Sequence, residues 1–271
     1  VLTQRNAGPA AARHNAIVHS RGEVLLCLDD DMRVDPDFVA RHLAHHAAGA
    51  EVVLGRIDDA HDGNVRPLFH RLHQRYLDAK AGGGPGDAAR GVELFTGNVS
   101  FRTERYHEVG GFDVALVGAE DDEFNFRLER SGGRIRFDPR IRATYYCRDS
   151  VRGLARQYFM YGRGKTWVLR KHKRLPSARM LVPGVLVLGL AGGLVLSVAR
   201  RQWWWLLLSW GGYLTGIGAV SVHLGRRRRV SPGALATALA TIHVAYGVGL
   251  MIGAVRPAPS PDVAIHGGHD T

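Results

Sequence analysis

Three long stretches with almost no charge set the limits on what this chain can fold into. Met180–Ala199 has no charged residue, Gln202–Gly225 none beyond His223, and Val230–Val255 none beyond His243. A bilayer-spanning helix needs roughly 20 mostly apolar residues, and its peptide groups must pair within the helix because hydrocarbon offers them no partner. Each stretch meets that length. Gly189, Gly192 and Gly193 in the first, and Gly211, Gly212, Gly216 and Gly218 in the second, suit close helix packing in lipid. Trp203, Trp204 and Trp205 open the second stretch, where an aromatic interface belt belongs. A buried hairpin in a soluble protein is the alternative, and three runs with basic flanks count against it. The expected spans are about 180–199, 203–224 and 233–255.

Charge divides the chain in two. The net charge of the 271 residues is +11, yet residues 1–150 hold 20 Lys/Arg against 23 Asp/Glu, and residues 151–271 hold 16 against 2. The excess therefore lies beside the apolar runs, which points to a lipid bilayer as partner and away from nucleic acid. Seven Lys/Arg and no acid fall between Arg163 and Arg179, and Arg226–Arg229 follow the second run. Two spans separate these clusters, so both lie on one side, cytoplasmic by the positive-inside rule. Arg200 and Arg201, in the opposite turn, count mildly against this. The expectation is a multi-pass protein of the cell (inner or plasma) membrane, with residues 1–148 cytoplasmic and a flexible tail, 256–271, outside. Cys27 and Cys147 suggest no disulfide framework, which fits a reducing compartment. The opening VLTQRNAGPAAARHNAIVHS has no initiating methionine and no signal-type apolar core, and reads as the interior of a domain.

In the first half, GPAAARHNAIVHSRGE reads as a helix with Pro9 in its first turn and Gly22 as its stop. EVLLCL is a continuous apolar run, the pattern of a strand buried on both faces in a parallel sheet. Asp35-Pro36 starts a second helix, which ends near Gly49, and EVVLGRI is the next strand. This alternation argues α/β. AGGGPGD (81–87) is a loop, ELFTGNVSFR a strand broken at Thr96-Gly97-Asn98, GGFD (110–113) a turn, AEDDEFNFRLERSGG a helix with acids in its first turn, and RIRFDP a strand. Val151, Leu154, Ala155, Tyr158 and Phe159 then recur at helical spacing among arginines, so 149–179 is expected to form a basic amphipathic helix and linker at the membrane interface.

The chemistry-bearing residues cluster at the ends of these elements. Asp29-x-Asp31 ends the first strand, where open α/β sheets bind ligands. Adjacent carboxylates are tolerable when a divalent cation neutralises them, and hard oxygens suit Mg²⁺ or Mn²⁺. A solvated acidic turn is the plain alternative. Glu120-Asp121-Asp122 could supply a general base or could simply cap a helix. Gly97 lets backbone approach a ligand, and Asn98 offers a donor and an acceptor. His42, His45 and His46 share a helix face; a metal site is the sharper reading and a solvated face the favoured one.

Taken in order, ARHNAIVHSRGEVLLCLDDD, FTGNVSFR, GGFD, GAEDDEFNFRLERSGGRIRF and YGRG resemble glycosyltransferase family 2 over about residues 5–165. The resemblance implies a GT-A (Rossmann-like) domain over 1–148, partial because the family's nucleoside-binding strand–helix–strand would precede Val1, followed by three transmembrane helices over 180–255. It implies a nucleotide-diphosphate sugar donor and a lipid-linked or glycan acceptor. Asp29 and Asp31 would hold Mg²⁺ or Mn²⁺ on the donor diphosphate. Asp121 would be the base of an inverting transfer, with Asp29, Asp30, Gly97, Asn98, Glu120 and Arg13 binding substrate. Cys147 stands where the family often has His. The Q-x-x-R-W motif of processive synthases is absent, which implies single transfer. Two other readings stay open: a non-catalytic membrane partner with a vestigial domain, and a haloacid-dehalogenase-type phosphatase, disfavoured by Met32-Arg33 after the second Asp.

Overall fold

A computed structural model describes residues 2–60, 86–87, 96–116, 119–146, 150–173, 178–228 and 230–256. Cys147, most of the loop expected at 81–87, and all of the tail beyond Arg256 lie outside the described residues. The chain divides into two compact units.

The first unit is a mixed sheet with helices on both faces. In chain order it contains α1 (Gly8–Val18), β1 (Val24–Leu28), β2 (Met32–Val34), α2 (Phe38–Ala47), β3 (Val52–Asp59), β4 (Gly86–Asp87), β5 (Asn98–Arg102), α3 (Thr103–Glu108), α4 (Glu120–Arg130) and β6 (Ile135–Tyr145). The sheet order is β1-β5-β3-β6-β2, with β4 also paired to β6. β3 and β6 run parallel, while β5 is antiparallel to both β1 and β3. Pro9 sits in the first turn of α1, where its missing N–H costs nothing. The strand predicted to stop at Asp138-Pro139 continues to Tyr145. Pro139 falls within the irregularity where the register jumps from Gly55↔Asp138 to Arg56↔Arg142, a place where a residue without an N–H is tolerated.

Period-2 alternation along β5 sorts its side chains. Val99 and Phe101 enter one core with Leu25, Cys27, Tyr106, Phe112 and Phe124. Asn98 and Ser100 are also buried, and they hydrogen-bond to α2. β1 is not buried on both faces as its apolar run suggests. Among the described residues it is the last strand on one side of the order, and Leu26 and Leu28 are exposed while Leu25 and Cys27 enter the core.

The GGFD turn is set by backbone and by one arginine. Gly110 and Gly111 have φ of 90° and 64°, a region that a side chain disfavours. Arg127 of α4 donates to the carbonyls of Val109 and Gly111 and pairs through two nitrogens with the fully buried Glu123. Tyr106 Oη accepts from the Phe112 N–H at 2.9 Å. These bonds anchor the loop that leads towards α4.

The second unit is helical: α5 (Val151–His172), α6 (Val182–Arg200) preceded by a 3₁₀ turn at Ala178–Leu181, α7 (Trp204–Leu206), a π turn (Leu207–Gly211), α8 (Gly212–Arg228) and α9 (Pro232–Val255). Ala178–Arg200, Trp204–Arg227 and Pro232–Val255 are long and apolar enough to cross a membrane. They expose Val185, Leu188, Val198, Leu207 and Leu208, a surface that suits lipid. α5 lies close along α9, because a Cβ at Gly162, Gly249 or Gly253 would collide with the partner helix. Trp167 and Arg170 donate to the carbonyl of Arg256, and Arg170 also to that of Ala254, satisfying orphan groups at the end of α9.

Substituting Arg127 by Met removes the cation paired with the buried Glu123 carboxylate, and is expected to cost about 3–5 kcal/mol in chemical unfolding of the full chain. Replacing Glu123 by Leu in the same variant should recover only part of that loss. The remainder measures the hold of Arg127 on the turn carbonyls.

Candidate active site

The site is assembled from residues far apart in sequence. Arg13, in the middle of α1, donates from one terminal nitrogen to Asp29 Oδ1 at 2.7 Å and from the other to Glu120 Oε1 at 2.9 Å. Asp29 follows directly on β1, and Glu120 is the first residue of α4. A guanidinium with two planar N–H pairs can hold two carboxylates together, where an ammonium would be a point charge. The Arg13 and Glu120 side chains are 19% and 6% exposed and Asp29 is 36% exposed, so the bridge is shielded at one end and open at the other. Burial pulls the Arg13 guanidinium down, but Asp29 and Glu120 outweigh it and hold it above its ordinary value.

The three adjacent aspartates separate. Asp29 and Asp31 are half-buried and Asp30 is exposed. The Asp31 carbonyl accepts from the Tyr146 N–H at 3.0 Å, which fixes the turn against the end of β6. Gly97 packs on this turn. A Cβ there would meet the Met32 methyl and lie 2.9 Å from Asp29 Oδ2. Asp121 is half-buried in the first turn of α4, and its Oδ1 accepts from the Asp122 N–H at 2.8 Å.

Asn98 points elsewhere. Its side chain is wholly buried, with its amide nitrogen on the carbonyls of Arg56 and Ile141 and its oxygen facing His42. Its side chain thus faces α2. The expectation of a solvated histidine face on α2 is also corrected: His42 and His46 are 1% and 3% exposed and bond Asn98, Ser100 and the Ala50 carbonyl. His45 bonds the buried Asp138, which Arg140 also holds. Burial raises the Asp138 carboxyl, yet the bonds from Arg140 and His45 prevail and keep it well below the carboxylate range. A sequence shows which residues share a helix face, but whether that face meets water or a strand of serine and asparagine depends on tertiary packing. Among the described residues no group of three or more His, Cys, Asp or Glu is gathered about one point as a metal cage.

A mostly apolar cavity of about 680 Å³ lies between the N-terminal segment and α1, lined among others by Gln4, Arg5, Ala7, His14 and Val114. None of the acidic candidates lines it.

Residues 1–104 match the family described as glycosyl transferase family 2, and residues 88–148 match that described as N-terminal domain of galactosyltransferase. The succinoglycan biosynthesis protein ExoA of Rhizobium meliloti is 32% identical over 148 residues, covering 55% of this chain and 44% of that protein. A dolichyl N-acetyl-alpha-D-glucosaminyl phosphate 3-beta-D-2,3-diacetamido-2,3-dideoxy-beta-D-glucuronosyltransferase of Methanococcus voltae is 35% identical over 60 residues, covering 22% of this chain and 19% of that protein. The chain thus spans less than half the length of these curated relatives. The structure of a Pyrobaculum calidifontis mannosyltransferase in complex with GDP-Man and Mn²⁺ superposes with a TM-score of 0.50 at 18% identity, covering 92% of this chain and 66% of that one, a likeness of fold. The first unit is a GT-A-type domain with its acidic motifs bridged by one arginine. Residues 1–104 of this domain are similar to glycosyltransferase family 2.

Cys27 beside this site is 8% exposed, and burial pushes its thiol up to about 11. It stays protonated at neutral and mildly alkaline pH, so it is a poor nucleophile there. In a Cys147→Ser variant, iodoacetamide at about pH 8 should leave the folded chain unmodified and alkylate it fully in denaturant, as read by intact mass.

Proposed function

We propose that the complete protein is a membrane-anchored, metal-dependent, inverting glycosyltransferase that moves a sugar from a nucleotide-diphosphate sugar to a hydroxyl of a lipid-linked or other membrane-proximal acceptor. The observation that carries this reading is the Arg13 bridge. It ties the strand-end aspartates to the acidic start of α4, so the group that would meet the donor and the group that would meet the acceptor belong to one site.

Asp29 and Asp31 fit Mg²⁺ or Mn²⁺. Their oxygens are hard donors, both residues are partly open, and the missing Cβ of Gly97 leaves room at Asp29 Oδ2. Such a cation, when bound, neutralises the donor diphosphate and the departing nucleotide. Arg13 holds Asp29 aimed and Glu120 in place at the start of α4. Asp121 takes the proton from the acceptor hydroxyl as its oxygen attacks the anomeric carbon. The bond from that carbon to the diphosphate oxygen breaks as the new bond forms on the opposite face, which inverts configuration.

Three features support an acceptor at a membrane: the apolar helices that follow this domain, a relative whose name specifies a dolichyl phosphate, and another named for succinoglycan biosynthesis. The basic clusters support a cytoplasmic catalytic domain in the cell membrane. The Arg170–Arg256 contact favours a different place for the tail, because it sets the end of α9 beside a basic segment. Labelling of single cysteines at Arg170 and Arg256 from either side of sealed vesicles decides this. Opposite sidedness supports an external tail, and shared sidedness overturns it.

With the complete protein in lipid vesicles, Asp121→Asn should lower kcat by roughly 10²–10⁴-fold with little change in donor affinity. Asp31→Asn should weaken Mn²⁺-dependent donor binding instead. Transfer surviving both substitutions would refute the site assignment. Chelation should abolish transfer, with Mn²⁺ or Mg²⁺ restoring it.

A further inference from the structure

We infer that His46, Ser100 and His42 form a proton-sharing relay that ends on Asn98, and that this relay takes up one proton at His42 Nε2 and so positions the turn beside Asp29. The argument is a count of hydrogens. Four contacts run in series: His46 Nδ1 to the Ala50 carbonyl at 2.8 Å, His46 Nε2 to Ser100 Oγ at 2.7 Å, Ser100 Oγ to His42 Nδ1 at 2.8 Å, and His42 Nε2 to Asn98 Oδ1 at 3.2 Å. Both ends are acceptors. The Ala50 end is a carbonyl. The Asn98 end is fixed as oxygen because the amide nitrogen faces two carbonyls, of Arg56 at 2.9 Å and Ile141 at 3.2 Å, which only an N–H₂ can satisfy. Four contacts need four hydrogens. Two neutral imidazoles bring two and the serine brings one, so the full relay needs one proton more.

The surroundings decide when that proton is present. The charged and titratable groups around the relay are Arg102 on β5, which donates to the carbonyls of His46 and Ala50, His45 on α2, and Asp138 on β6, already held by His45 and Arg140. Burial is the largest influence on both rings. It lowers His42 to about 4 and holds His46 below its ordinary value. At neutral pH the relay is therefore one proton short, and one contact must open. The longest is the one to Asn98. With His46 donating to Ala50, Ser100 donating to His46 and His42 Nδ1 donating to Ser100, the bare Nε2 of His42 faces the Asn98 oxygen, lone pair to lone pair. Acidification protonates Nε2 and closes the contact. Asn98 heads β5 opposite Leu28 and directly follows Gly97, so its position sets the Gly97 turn against Asp29. His42, Ser100 and His46 are positioning residues. Their effect on transfer rests on the function proposed above, whereas the proton count does not.

The test follows the imidazole nitrogens of the full chain in detergent by long-range ¹H–¹⁵N correlation, with the rings assigned from His42→Gln and His46→Gln. At neutral pH both rings should carry hydrogen on Nδ1 alone. On acidification towards about pH 4 the pair should gain one proton, at His42 Nε2. A neutral-pH His42 protonated on Nε2, or two rings that each take up their own proton, would overturn the relay. The wild-type titration decides this even if Ser100→Ala fails to fold. In the complete protein, Ser100→Ala should shift the acid limb of the kcat/KM profile, whereas a merely structural role lowers the profile equally at every pH. An unshifted limb overturns the positioning role. Absence of any transfer by the wild type counts against the proposed function alone, and the nitrogen titration still decides the relay.

Discussion

The guanidinium of Arg13 sits between two carboxylates that would otherwise repel each other across the end of the sheet. Asp29 lies at 2.7 Å and Glu120 at 2.9 Å, with the Glu120 side chain 6% exposed. A buried carboxylate is strongly unfavourable without compensation, and Arg13 of α1 supplies a cation to the start of α4. The same bridge makes a single site out of two motifs 91 residues apart, from Asp29 to Glu120. The GGFD turn, locked by Arg127, Glu123 and Tyr106, delivers α4 to that point from the other end.

The sheet gives its two faces different work. On the face shared with α1 and α4, Leu25, Cys27, Val99 and Phe101 form an apolar base, and the same alternation carries Asp29 out at the rim. On the face shared with α2, Asn98 and Ser100 meet His42 and His46 in a buried polar layer. Such a layer fixes geometry only when every member is satisfied. Its hydrogen count makes it sensitive to one proton, an arrangement an apolar layer could not provide.

Much of the fold was legible in the sequence. Apolar runs of membrane length, the DDD turn, the GGFD turn and the acidic start of α4 all fall where their local chemistry required. The histidines were not legible. Their spacing put them on one helix face, but spacing does not show that β5 turns Asn98 and Ser100 toward that face. The role first considered for the Asn98 side chain also depended on which face it took, and alternation from Val99 and Phe101 assigned it to α2.

By itself the sequence determined the two-part character of the chain, because charge and hydropathy are properties of composition along the chain. It also determined which carboxylates were candidates, because the residue types and their place at element ends are local. Only the tertiary structure decided which of them meet. Arg13, Asp29 and Glu120 converge through strand pairing and helix packing, long-range contacts that no local pattern encodes.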